Sequence, residues 1–199
     1  MADVSPRPPN ESQISHSLPG LTHVITGHDP STGKAIIQET QPAQWEDPFN
    51  NKMMTFNAVY ATSEFPADLN NDADLNVRNR LLASGKLGLV SPGGTVCRIV
   101  DFCPGLEGLM HRTQSLDYGV VLEGSIELVL DSGESRVMHR GEVTVQRGTM
   151  HAWRNPNPTE WARMIFFLQD CQPVIVGDEA LKEDIGDASA AIPPSGNDI

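Results

Sequence analysis

Two blocks of the chain carry imidazole and carboxylate groups at spacings that would bring them to one place. The first block lies between Gly105 and Gly124, and the second follows after a short gap. Two imidazoles and one carboxylate can hold a divalent metal and leave coordination positions open, and the same groups can transfer protons. The residues predicted to carry the chemistry are His111, Thr113, Asp117 and His151.

Strand alternation predicts which of these side chains point the same way. Successive side chains of a β-strand face opposite sides, so His111, Thr113 and, after a bend, Asp117 share one face. If the two blocks pair in one barrel, these groups converge with those of the second block. The residues of the second block that share a face are His151, Trp153 and Asn155.

Three interpretations of this constellation stay open. In the first, His111, Asp117 and His151 are ligands of a divalent metal: Fe, Zn, Ni or Mn. In the second, no metal is present, and Asp117 works with one histidine as an acid/base pair whose pKa values are tuned by burial. In the third, the two imidazoles only make hydrogen bonds inside a polar barrel.

Three further residues are candidates for contact with a substrate. Trp153 is either a core residue, which is the commoner role, or a platform for a flat ring. Arg98 shares a face with Val100 and Phe102 and could enter the barrel to bind a carboxylate, although a surface arginine or one paired with Asp is more common. Asn155 lies on the same predicted face as His151.

The remainder of the chain predicts an all-β fold, a sandwich or a barrel. Short β-branched or aromatic runs alternate with turn residues, and helical stretches are few. The predicted strands are 23–26, 34–39, 55–62, 96–102, 109–114, 118–122, 125–131, 135–139, 142–146, 151–154 and 163–168.

Composition shifts divide the chain into three parts. Residues 1–20 are rich in Pro, Ser and Asn and predict a loose arm, and residues 21–176 form the barrel. Residues 66–94 are polar, with a short helix near 77–83, and predict a surface excursion that could roof the cavity. Residues 177–199 predict a short helix and a frayed tail.

The net charge and the cysteines limit the partners and the compartment. The formal charge is −12, from 14 Lys and Arg against 26 Asp and Glu, so neither a nucleic acid nor an anionic membrane surface is expected as a partner. No apolar run reaches the length of about 18 residues that a membrane span needs, and no secretory signal is visible. Three cysteines, an odd number, indicate reduced thiols and a cytoplasmic protein.

The wording of residues 110–119 and 146–155 resembles the two signature motifs of the cupin superfamily. His111 and His151 match the family pattern, whereas Thr113 stands where that pattern has a second histidine, and Asp117 stands in place of glutamate. The second block also departs, because Gln146 begins the turn that usually starts with proline. The resemblance extends over about 130 residues and is closest to small single-domain cupins of bacteria and of fungal biosynthetic clusters, where the Thr and Asp variant is usual.

This resemblance implies a double-stranded β-helix, also called a cupin or jelly-roll barrel, that commonly dimerises through an exchanged N-terminal strand. It also implies a tailoring enzyme for an aromatic or polyketide-like small molecule, acting by oxidation, dehydration, decarboxylation or isomerisation. The alternative is a non-catalytic barrel that binds or senses a small molecule. The enzyme is favoured, because the chain carries no helix-turn-helix pattern and its charge opposes DNA binding.

Overall fold

The computed structural model describes residues 7–198. Over that range the chain forms twelve strands, one α-helix, α1 (Ala73–Ala83), and two 3₁₀ turns, Asn70–Asp72 and Gly186–Ala190. The strands are β1 (Thr22–His28), β2 (Ala35–Pro42), β3 (Met54–Ala61), β4 (Thr95–Phe102), β5 (Ser115–Glu123), β6 (Ser125–Leu130), β7 (Ser135–His139), β8 (Val143–Arg147), β9 (His151–Arg154), β10 (Ala162–Asp170), β11 (Val174–Val176) and β12 (Glu179–Leu181).

Two antiparallel sheets enclose the core. One sheet has five strands in the order β3-β4-β10-β5-β8, and the other has three in the order β7-β6-β9. Apolar residues of both sheets meet in one cluster that includes Val121, Met164, Ile126 and Trp153. The predicted all-β barrel is therefore confirmed; β1 to β10 each overlap a predicted strand, whereas β11 and β12 were not predicted.

One predicted strand is absent. Residues 109–114 do not form a strand; only two isolated bridges occur there, His111 to His151 and Arg112 to Asp184. The regular strand begins at Ser115. In β5 the side chains alternate as expected, since Asp117 is buried and Tyr118 is exposed.

The N-terminal segment packs on the barrel, which differs from the loose arm expected for residues 1–20. Gln13 and Ser15 are buried. The guanidinium of Arg163 donates a hydrogen bond of 2.7 Å from Nη1 to the carbonyl of Pro19. Polar side chains from the barrel thus take part in holding this segment, which composition alone does not reveal. Residues 1–6 of the predicted arm lie outside the described range.

The C-terminal segment also packs on the barrel, so the predicted frayed tail is not found over residues 177–198. Ile185, Ala188 and Ile192 are buried in the main apolar cluster. The hydroxyl of Ser195 accepts a hydrogen bond of 3.0 Å from the backbone N–H of Val90. The predicted boundary after residue 176 falls inside the hairpin of β11 and β12.

The excursion at 66–94 contains α1, which begins earlier than predicted and contacts β3. No helix in the described part of the chain is long and apolar enough to cross a membrane. The three cysteines are all unpaired.

Candidate active site

A cavity of about 80 Å³ lies between the two sheets. Its wall is mostly apolar, and six of the seven residues that the sequence marked for the site line it. A small polar cluster in an apolar cavity is the usual composition of a ligand site. The six residues are Arg98, His111, Thr113, Asp117, His151 and Trp153.

The two histidines meet because their backbones form one antiparallel bridge. The N–H of His111 donates to the carbonyl of His151 at 2.8 Å, and the N–H of His151 donates back at 2.9 Å. Residues paired in this way project their side chains on the same face. The two ring centroids are consequently 4.4 Å apart.

Hydrogen bonds to the backbone set the tautomer of both rings. Nδ1 of His111 lies 2.9 Å from the carbonyl of Leu109, and Nδ1 of His151 lies 2.9 Å from the carbonyl of Thr149. A carbonyl oxygen only accepts, so each Nδ1 carries the proton, and Nε2 of each neutral ring keeps its lone pair.

Both imidazoles are neutral because the cavity is desolvated. Burial lowers the pKa of His111. Burial, followed by the proximity of His111, lowers the pKa of His151 to about 3. At neutral pH the site therefore presents two neutral imidazoles and carries no imidazolium charge.

Asp117 is a buried carboxylate that is only half satisfied. Thr113 donates from Oγ1 to Oδ2 of Asp117 at 3.3 Å, and Ser115 donates to the Thr113 hydroxyl at 2.8 Å. Oδ1 of Asp117 is buried and has no hydrogen-bond partner among residues 7–198. Burial raises the pKa of Asp117 to about 6, so this group exchanges a proton near neutral pH.

Trp153 forms one wall of the site and also part of the core. Its ring centroid lies 5.5 Å from that of His151 and 5.5 Å from that of Phe166. The chain passes close behind it at Gly108, where φ is +79° and an added Cβ would lie 2.3 Å from the Trp153 carbonyl oxygen. Only glycine fits there, and this tight crossing places Leu109 to hold His111.

Asn155 is not among the residues that line the cavity, so its predicted contact with a substrate is not supported. Its amide nitrogen donates to the carbonyls of Phe102, Cys103 and Glu160 at 3.1, 3.0 and 2.9 Å. Its oxygen accepts from the N–H of Asn157. The side chain is used entirely to organise the loop before β10, a role that strand alternation cannot distinguish from a site residue.

The sequence did not predict one wall of the cavity. Ile185, Ala188 and Ile192 of the C-terminal segment line it, whereas the excursion at 66–94 contributes only Leu89. The roof expected from the excursion is thus supplied mainly from the other end of the chain. The sequence shows three aliphatic residues in this acidic, alanine-rich stretch, which indicates that it packs on an apolar surface. It does not indicate which surface.

The predicted metal ligands fit a metal only in part. Nδ1 of each imidazole donates a hydrogen bond to a backbone carbonyl, and Nε2 is left free. Metal-binding histidines use the same arrangement. However, among residues 7–198 no three His, Cys, Asp or Glu side chains lie close enough together to hold one ion. The complete set of His111, Asp117 and His151 is therefore not assembled around one point.

Comparisons with known proteins agree with this fold. The chain is 39% identical over 165 residues to the cupin-domain-containing oxidoreductase virC of Hypocrea virens, covering 80% of this chain and 82% of that protein. It is 43% identical over 188 residues to phomopsin biosynthesis cluster protein D of Diaporthe leptostromiformis, covering 94% and 98%. No protein-family model matches the chain.

Among solved structures, an RmlC-like cupin from Shewanella frigidimarina is similar, with a TM-score of 0.41 and 13% identity over 65% of this chain and 86% of that chain. A double-stranded β-helix with a polar cluster in its apolar interior defines the cupin class. Within that class, the sequence similarity shows that the chain belongs to the family of cupin-domain-containing oxidoreductases. The predicted enzyme is confirmed at this level, and relatives from biosynthesis clusters agree with the predicted context.

Proposed function

We propose that the protein catalyses a proton-transfer step on a small molecule held inside the barrel, as a tailoring enzyme of a biosynthetic cluster. The observation that carries this proposal is Asp117, whose unpaired oxygen is buried in the wall of a cavity that also holds two neutral imidazoles. Acid/base catalysis commonly uses titratable groups in one desolvated cavity whose pKa values are shifted in opposite directions.

The roles follow from the protonation states. Asp117, which is mostly ionised at neutral pH, accepts a proton from a carbon or oxygen of the substrate and then returns it at a second position, while the neutral imidazoles of His111 and His151 orient the substrate through Nε2. In an isomerisation the substrate then keeps its composition. In a dehydration the hydroxyl group leaves as water, with the proton that Asp117 supplies, and a double bond forms where the first proton was removed.

The wall of the cavity supports an apolar or aromatic body for the substrate, since Trp153, Phe166 and Phe102 line it. Its present volume of about 80 Å³ is small, because pockets that hold drug-sized ligands have about 300–1,000 Å³. A ring larger than a few atoms therefore needs the wall formed by Ile185, Ala188 and Ile192 to move outward.

A second candidate function is oxidation on a divalent metal: Fe, Zn, Ni or Mn. Two Nε2 lone pairs on rings 4.4 Å apart favour it, as does the word oxidoreductase in the names of several relatives. Elemental analysis of the purified protein would test the metal. Stoichiometric metal that is lost in His111→Ala, together with inhibition by chelators, would favour this candidate over the acid/base proposal.

Turnover provides the test of the acid/base proposal. Deleting the gene from its host should cause the substrate to accumulate, and mass spectrometry would identify it. The purified protein should convert that compound with no change in mass, or with loss of water or carbon dioxide, even after complete removal of metals. Asp117→Asn should lower turnover by about 10²–10⁴-fold. Binding of the compound without conversion would instead indicate a non-catalytic barrel.

We also infer a homodimer. The hairpin of β1 and β2 belongs to no larger sheet within residues 7–198, and it exposes apolar side chains, as does the outer face of the large sheet. Unpaired edges and apolar patches of this kind favour association. Light scattering should give twice the monomer mass, and deletion of residues 1–40 should reduce it. The exposed residues are Val24, Ile36, Ile37, Tyr118, Val143, Val145 and Phe167.

A further inference from the structure

Arg98 occupies the wall that separates the interior cavity from a groove on the outside of the barrel. This groove has a volume of about 900 Å³ and lies between β2, α1 and the C-terminal segment. Three residues line both spaces: Phe56, Arg98 and Ile192. Of these three only Arg98 carries a charge, so it is the polar group at the junction.

The guanidinium of Arg98 has few partners for a buried charge. The side chain is 6% exposed. Nη2 donates to the carbonyl of Gly88 at 2.8 Å, and the guanidinium carbon lies 5.1 Å from the centroid of the Phe56 ring. Nε is buried with no hydrogen-bond partner, and no ion pair to Arg98 occurs among the described residues.

Other buried arginines in the molecule are paired with carboxylates. Arg78 contacts Glu39 at 2.9 Å, and Arg163 contacts Asp101 at 2.6 Å. Burial lowers the pKa of Arg98 to about 10, and the nearby charge of Glu46 only partly opposes this effect. A buried cation without a counter-ion is costly and is normally neutralised by a partner. Arg98 is therefore a buried charge that forms no ion pair with the described residues, and a carboxylate from outside the chain could supply one.

We propose that Arg98 binds a carboxylate of the substrate at the junction of the cavity and the groove. The inference rests on the proposed function, because it takes the cavity to be the substrate site. The apolar body of the substrate then faces Trp153 and the two imidazoles, and any larger part extends into the groove. The substrate class is an acid, and neutral analogues of the same shape are discriminated against because they leave the guanidinium unpaired.

Titration calorimetry with sodium benzoate and benzamide at pH 7 tests this proposal. The two probes share a ring and differ in charge. The wild-type protein should bind benzoate at least about 10-fold more tightly than benzamide, and Arg98→Met should weaken benzoate binding by about 10- to 100-fold, since a hydrogen-bonded charge is lost. Arg98→Lys keeps the charge without the planar fork and should lie between the two.

Arg140→Met is the matched control, because it removes the same charge from an exposed side chain that lines neither space. It should bind benzoate as the wild type does. Equal binding of benzoate and benzamide, including no binding of either, would overturn the proposal, as would unchanged benzoate binding in Arg98→Met. If Arg98→Met does not fold, the comparison of Arg98→Lys with Arg140→Met decides instead. The measurement needs no turnover, so a protein that binds benzoate through Arg98 but converts nothing would count against the proposed function alone.

Discussion

The barrel contains two sets of buried charged groups that differ in their hydrogen bonding. Asp101 with Arg163 and Ser15 forms the saturated set, and Asp117 with Thr113 forms the set in the cavity. On the outer side of the large sheet, Asp101 receives Arg163 Nε at 2.6 Å and Nη2 at 2.7 Å, and Ser15 donates to it as well. On the inner side, Asp117 accepts a hydrogen bond of 3.3 Å from the Thr113 hydroxyl, and the hydroxyl of Ser115 lies nearby. Both aspartates are almost fully buried, yet one is saturated with partners and the other keeps an unpaired oxygen.

This difference in hydrogen bonding distinguishes buried groups that stabilise the fold from buried groups that could act on a ligand. Buried polar groups that serve only the fold are almost always hydrogen-bonded, because an unmade bond costs free energy. Asp101 and Arg163 follow this rule and join the N-terminal segment to the barrel. Asp117 and Arg98 violate it, and both face the cavity. Other buried side chains among the described residues, such as Arg78 and Gln146, also keep an unpartnered polar atom, but only Asp117 and Arg98 do so in the cavity wall, where a ligand could complete their hydrogen bonds.

The largest effect on stability is expected for the saturated set. Asp101→Asn leaves Arg163 buried without its counter-ion, so the free energy of unfolding should fall by about 3–5 kcal/mol. Urea denaturation followed by circular dichroism would measure it. Asp131→Asn, in an exposed turn, is the control and should change little. A loss below about 1 kcal/mol would mean that the Asp101 pair is not structural in this sense.

Sequence reasoning correctly brought together residues whose arrangement follows from local pattern. The spacing and alternation of His111, Asp117 and His151 placed all three in the wall of one cavity. It failed where a residue's role depends on contacts distant in sequence. Asn155 has the right alternation, but three backbone carbonyls from other turns occupy its amide.

The terminal segments show the same limit. Ser15 reaches Asp101 across 86 positions of the chain, and Ile192 covers a cavity formed by strands far before it. Composition describes these segments as polar and loose, because it records what a segment contains and not which surface it meets. Tertiary contacts therefore overrode the local signal at both ends of the barrel.

Asp117→Asn is expected to raise the free energy of unfolding near neutral pH, whereas Asp101→Asn lowers it. The folded state holds the Asp117 proton more tightly than the unfolded state, since burial raises its pKa to about 6. Stability from this group is therefore present at low pH and is lost as pH rises from about 4 to about 6, by about 3 kcal/mol. Asparagine does not titrate, so relative to the wild type the variant should gain about that amount of stability over the same interval.

Denaturation at pH 4, 6 and 8 would follow this difference. The lowered pKa values of His111 and His151 act in the other direction, because their contribution is lost as pH falls below about 6.5. That contribution is common to both proteins and cancels when they are compared. A pH-independent difference between Asp117→Asn and the wild type would contradict the raised pKa and, with it, the acid/base role.

A smaller effect is expected for Ser15→Ala, which removes one donor from the saturated set. Its hydroxyl binds Oδ2 of Asp101, and hydrogen bonds to charged groups contribute about 1.5–3 kcal/mol. Stability should fall by about that amount, and the N-terminal segment should exchange its amide hydrogens faster. Turnover should not change, because Ser15 lies outside the cavity. Reduced activity in a folded Ser15→Ala protein would show that the saturated set also affects catalysis.

The smallest effect is expected for Thr113→Val, which removes the only donor to Asp117 other than the nearby Ser115. A neutral hydrogen bond contributes about 0.5–1.5 kcal/mol, so turnover should fall by roughly 2- to 12-fold. The bond from Thr113 lowers the pKa of Asp117, so its loss should move that pKa upward and shift the pH profile of turnover in the same direction. Ser115→Ala leaves the Thr113 hydroxyl in place but removes the other hydroxyl that lowers the pKa of Asp117, so it should shift the profile in the same direction and by at least as much. A profile that stays fixed in Thr113→Val would show that the group titrating in turnover is not Asp117, and the two imidazoles would then be the next residues to test.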